Sequence, residues 1–182
     1  MARKWTPFPR VVVAVLLVAS FATPANCADE TKETKIKRAM EAGPAEITKN
    51  AKIAEVDDKG NMTVLRDGSN GWTCFPGHPG MVGDNPECDD EAAMQWLADF
   101  AANKPKPTTT QPGVSYMFLG GTDHSASDPH ATTGSFKEPP HWMILFPYDP
   151  KATGLSDQAK MTGTWIMWAG TPWAHLMINQ KP

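Results

Sequence analysis

Apolar residues in this chain form one unbroken run and then short clusters of two different periods. The run, Val11 to Val18, is preceded by Arg3, Lys4 and Arg10 and followed by Thr23-Pro24. Spanning a bilayer takes about 20 apolar residues, so this shorter stretch behind a basic lead predicts a cleavable export signal over residues 1–27. Small residues at Ala25 and Cys27 place the cut before Ala28, with cleavage after Ala25 as the alternative. A lipidated Cys27 is disfavoured because Pro24-Ala25-Asn26 lacks the leucine and small residues of such a site. Residues 28–182 then suit a single domain with one hydrophobic core and no transmembrane segment.

Beyond the leader, Ile36, Ala39, Met40 and Gly43 recur at helical spacing and predict a short, mostly exposed helix over Thr31–Glu41. Gly43 ends it, and Pro44 starts a second helical turn reaching Thr48. Lys52–Val56 and Met62–Leu65 read as strands joined by a reversal at Asp57-Asp58-Lys59-Gly60-Asn61. The glycine- and proline-rich stretch from Pro76 to Glu87 excludes regular structure. After Cys88, the acids Asp89, Asp90 and Glu91 suit a helix N-terminus. Ala93, Trp96, Leu97, Phe100 and Ala101 give it one apolar face. Prolines from Lys104 to Gly113 predict an extended connection.

The last third reads as four strands, Val114–Leu119, Trp142–Phe146, Thr164–Ala169 and Trp173–Ile178, the last two forming an antiparallel pair across Gly170-Thr171-Pro172. Near-continuous apolar character in Trp142–Phe146 and Trp165–Trp168 predicts strands covered on both faces. The expected class is α+β: a mainly antiparallel sheet with one or two helices packed on a face and one disulfide.

Charge and cysteine content narrow the setting. Loss of the leader removes three of seventeen basic residues and none of the twenty acids, leaving an acidic chain without a Lys/Arg cluster. That balance argues against nucleic acid and anionic membranes as partners. It leaves a cell-envelope protein or a small-molecule ligand. Cys74 and Cys88 remain as a pair, which in an oxidising compartment predicts a disulfide around the Gly/Pro-rich bend. Without a Cys-x-x-Cys there is no support for a thioredoxin-like redox centre or a thiolate zinc site.

Four segments, Gly71–Pro76 (GWTCFP), Asn85–Asp89 (NPECD), Tyr116–Asp123 (YMFLGGTD) and Trp165–His175 (WIMWAGTPWAH), together resemble an uncharacterised family of bacterial signal-bearing secreted or periplasmic proteins. The resemblance implies a bacterial exported protein and brings no activity, cofactor or catalytic residue with it.

Familiar catalytic motifs are missing: no Gly-x-Ser-x-Gly, His-Glu-x-x-His or phosphate-binding glycine loop occurs. A non-enzymatic binding or scaffolding module is therefore the first expectation. The second is a copper or zinc module. His141-x-Met143 and His175-x-Met177 each set an imidazole and a thioether on one strand face, and if the strands were neighbours this soft set would suit Cu(I). Core methionines and backbone-bonded histidines give the same pattern without a metal. The third is a hydrolase site in the 120–130 loop, where Asp123, His124, Ser125 and Asp128 supply the residue types of an activated nucleophile. Their crowding within a few positions favours a turn-stabilised surface loop instead. Asp123, Ser125 and Ser127 also imitate the start of a calcium loop, but Asp128 and Gly134 stand where that loop needs Gly and an acid. Trp72, Trp96, Trp142, Trp165, Trp168 and Trp173 permit an aromatic platform as well as core packing, and the parity of Trp168 points it away from Trp165 and Met167.

Overall fold

The computed structural model describes residues 30–179, so the expected leader over 1–27 lies outside the described residues. The chain begins with α1 (Lys32–Glu41), whose first turn is capped by the Thr31 hydroxyl accepting from the Thr34 N–H. It continues through α2 (Ala45–Thr48) into β1 (Lys52–Val56), β2 (Met62–Arg66), β3 (Thr73–Phe75) and β4 (Glu87–Asp89). The apolar-faced helix α3 (Glu91–Ala101) starts at Asp90, whose carboxylate accepts from the Ala93 N–H. Then come β5 (Gly113–Met117), β6 (Gly121–Asp123), β7 (Phe136–Glu138), β8 (His141–Leu145), α4 (Pro150–Thr153), β9 (Gly163–Met167) and β10 (His175–Asn179).

Eight strands join in the order β2-β1-β3-β4-β5-β8-β10-β9, with β6 and β7 forming a separate hairpin. Only the β1–β3 pairing is parallel among the named ladders, which makes the fold α+β with a mainly antiparallel sheet. Among the described residues no helix is long and apolar enough to cross a membrane.

Side-chain alternation divides the core in two. Cys88 and Tyr116 point to one face, where α1 packs with Ala39, Ala42, Ala51, Ile53 and Cys74. Their neighbours Asp89, Ser115 and Met117 point to the other, where α3 lies against the β5-β8-β10-β9 half. The two helices thus cover opposite faces. Gly113 permits the α3 contact, because a Cβ there would stand 2.4 Å from the Ala93 backbone nitrogen. The expected cover on both faces of β8 is only half present: β5, β8 and β10 alternate between buried and half-buried positions, with Trp142 and Ile144 on the more open side. In β9, Trp165, Ile166 and Met167 are all buried.

Cys74 and Cys88 stand opposite each other in the β3–β4 ladder and are joined as the expected disulfide, with Cα atoms 4.0 Å apart. Both are fully buried under α1. The bridge closes the base of the loop over 76–87 and restricts the unfolded chain, an effect of roughly 3 kcal/mol for a loop of about 15 residues. The Cys74→Ala/Cys88→Ala double variant is expected to lose about that much in urea titrations; a loss well under about 1 kcal/mol would contradict this account.

Candidate functional site

A cleft of about 390 Å³ opens on the α3 face of the sheet, between α3, the loop over 76–87 and the β6–β7 hairpin. Its inner wall is aromatic. Trp96, 2% exposed, stacks on Phe100 and Trp168, with ring centroids 5.7 and 6.1 Å away, and the edge of His175 meets both tryptophans. Trp168 reaches this wall by an unusual backbone. Strand β9 ends at Met167 and Trp168 adopts φ = 53°, a left-handed conformation costly for a bulky residue. That turn reverses the parity expected from a continuing strand and brings its ring back beside Trp96. The conformation is held by the Trp168 Nε1–H donating to Ser125 O (2.8 Å) and its backbone N–H donating to Ala126 O (2.9 Å).

Opposite the rings stand acids. β4 carries Glu87 and Asp89 on either side of Cys88, so anchoring the cystine under α1 turns both carboxyls to the cleft side. Asn85 holds the rim: its Oδ1 accepts from Thr122 N–H (2.9 Å) and its Nδ2 donates to Thr122 O (3.0 Å), tying the loop to β6. Glu138 at the end of β7 is 8% exposed and lines the cleft. Among the described residues no hydrogen bond relieves it. Burial, then repulsion from Asp123 and Glu87, pushes its carboxyl up to about 8. Burial and the nearby Asp84 push Glu87 up to about 7, and burial also raises Asp123, against a hydrogen bond from the Ser125 N–H. Asp89, fully buried, is raised well above the carboxylate range by burial and by Glu87. The Ser115 hydroxyl beside it pulls the other way, although neither Asp89 oxygen has a formed hydrogen bond among the described residues. Among the described residues no lysine or arginine lines the cleft.

The histidine–methionine pattern resolves into two parts. β8 and β10 are neighbours, and Met143 lies directly opposite Met177. His141 pairs with Asn179, four residues along β10 from His175, so the two imidazoles are anchored about 13 Å apart along the strand. Each Nδ1–H donates to a backbone carbonyl, His141 to Pro139 (2.7 Å) and His175 to Trp173 (3.0 Å). Burial holds both rings neutral, lowering His141 and pushing His175 down to about 4. His175 lines the cleft; His141 does not.

In the 120–130 loop the polar side chains serve their own backbone. Asp123 accepts from Ser125 N–H, His124 Nδ1–H donates to Gly134 O, and Asp128 accepts from His130 N–H. Asp123 and His124 nevertheless line the cleft, whereas Asp128 lines a separate, open pocket beside Thr171 and Trp173. No hydrogen bond joins them into a triad among the described residues. The sequence does not mark Glu87 or Glu138, and Asp89, expected at the helix N-terminus with Asp90 and Glu91, instead ends β4. The only signal available was the Glu87-Cys88-Asp89 alternation, which a buried cystine converts into two acids on the opposite face.

Comparison with family models, curated proteins and solved structures finds no match for this chain.

Proposed function

We propose that this is an exported bacterial protein, periplasmic or secreted, that captures a small molecule in the cleft between α3 and the β6–β7 hairpin. The observation that carries the reading is Glu138, a residue 8% exposed whose carboxyl has no hydrogen-bond partner among the described residues, lining a cleft with a preformed aromatic wall. Concave, mostly apolar sites with a few convergent polar groups are where proteins bind ligands, and polar groups left unpaired there are satisfied by what enters. The leader pattern over 1–27 and the disulfide favour an oxidising compartment. Strain at Trp168 favours a wall held ready rather than formed on binding.

A second reading, acid–base catalysis, is favoured by one observation: Glu87 and Glu138 titrate near 7 and 8 and share the cleft with Asp123. A copper or zinc site at His141, Met143, His175 and Met177 has in its favour only the facing methionines.

Native mass spectrometry of the chain purified from periplasmic extract tests the first reading. The expected result is a small-molecule adduct on the wild type that is lost from Trp168→Ala. The same adduct on both proteins, or none on either, would sink it. Turnover of the captured compound, abolished by Glu138→Gln, would move the protein to the second reading.

A further inference from the structure

We infer that the cleft takes an elongated organic cation, with ammonium groups separated by methylene segments as in a linear polyamine; this inference rests on the small-molecule reading above.

The cleft does not end at Glu87. A second chamber of about 570 Å³ runs between the β1–β2 turn, the loop over 76–87 and the outer side of α3, and the two share Gly83, Asn85, Glu87, Leu97 and Phe100 as common walls. The two chambers therefore adjoin, and a ligand spanning both would pass Phe100. The acidic character continues: Glu55, Asp57, Asp58 and Asp84 line the second chamber. Two of these have side-chain partners, Glu55 bonding Lys35 Nζ and Asp84 bonding His78 Nδ1. Neither lining includes a lysine or arginine. Between the acids the walls are apolar and soft, with Met62, Met81 and Met94 outside and Met117 and Met143 within.

This combination selects by charge and by length. An anion finds no lysine or arginine among the described lining residues to pair with. A bare metal ion is a poor fit, because among the described residues no three His, Cys, Asp or Glu side chains converge closely enough to hold one. An ammonium needs no such convergence: one carboxylate and an aromatic ring suffice, and Phe100, half-buried at the cleft and backed by Trp96 and Trp168, supplies the ring. Acids spaced along a methionine-lined path match ammonium groups spaced along a methylene chain, with Glu138 as the innermost partner.

Binding such a cation also has a protonic signature. The groups facing Glu138 are Asp123 on β6 and Glu87 on β4, with Asp89 behind Glu87 and His124 and His175 on the same cleft, while Lys137 and Lys160 line the pocket on its other side. In the empty cleft Glu138 holds its proton at neutral pH. An arriving ammonium favours the carboxylate, so the proton leaves to solvent.

Isothermal titration at pH 7, in two buffers of different ionisation enthalpy, with spermidine and with a neutral alkanediol of matched length, tests the inference. Expected are spermidine binding with net proton release, on the order of tenfold weaker binding in Glu138→Gln and in Glu87→Gln, and a smaller proton release in Glu138→Gln, the remainder coming from Glu87. These changes are charge-neutralising and nearly isosteric, so the fold is retained. The diol binding as well as spermidine would overturn the cation while leaving small-molecule capture intact, and so would undiminished spermidine affinity in both variants. If neither probe binds, the inference fails, and the native mass measurement then decides separately whether the cleft captures anything.

Discussion

Replacing Trp96 with alanine is expected to destabilise the protein by about 3–5 kcal/mol in urea titrations. The side chain is 2% exposed and is the hub of the larger core. It stacks on Phe100 and Trp168 and meets the edges of Trp173 and His175 at 5.0 and 5.6 Å. Truncation removes its apolar burial and leaves a cavity that four aromatic rings, pinned by their own hydrogen bonds and stacks, cannot collapse to fill. Trp96→Phe separates packing from polarity. The indole N–H of Trp96 is buried without a partner among the described residues, so phenylalanine restores much of the volume and removes an unsatisfied donor. Its expected cost is below about 1.5 kcal/mol. If Trp96→Ala cost no more than Trp96→Phe, α3 would not be anchored through this ring.

Local signals made most of the fold legible before any coordinates. The stripe Ala93, Trp96, Leu97, Phe100 marked α3, with Asp90 capping it one residue inside the predicted acidic start. The turn residues Asp57 to Asn61 marked the β1–β2 hairpin, in which the Asp57 carboxylate accepts from the Lys59 and Asn61 N–H groups. The hairpin of β6 and β7 was not anticipated, because Gly121-Thr-Asp123 and Phe136-Lys-Glu138 are too short and polar to show strand periodicity; pairing with each other and the Asn85 clamp define them. Strand register was invisible for a related reason. His141 and His175 share a face by parity alone, but whether they meet depends on which residue of β8 faces which of β10, a property of the whole sheet. The candidate site was the least legible part. Glu138 lies between Lys137 and Pro139 and looks like any surface acid; only the tertiary arrangement puts it under a hairpin and next to a tryptophan wall.

Stability should fall as the pH rises above neutrality, because of the buried acids. An unfolded glutamate titrates near 4.3, whereas folded Glu138 does so at about 8. Between those values the folded chain holds a proton that the unfolded chain has released, so raising the pH drains stability across that window, on the order of a few kcal/mol for a group this buried. Glu87, at about 7, and Asp89, raised further by burial, act in the same direction. His175 acts with the opposite sign: it titrates near 4 when folded and near 6.5 when unfolded, so the unfolded state gains the proton first and the contribution of His175 declines as the pH drops through that interval. Burial gives His141 the same sign. The melting-temperature profile measured across pH 4–9 should therefore fall on its alkaline side. Glu138→Gln should flatten its alkaline limb and raise the melting temperature most at pH 8, because the amide never has to lose a proton inside the cleft. A variant that melts at the same temperature as the parent at pH 8 would show that Glu138 is not held protonated there. The carboxyl would then already have a counter-charge, and the cleft would not need a cation to supply one.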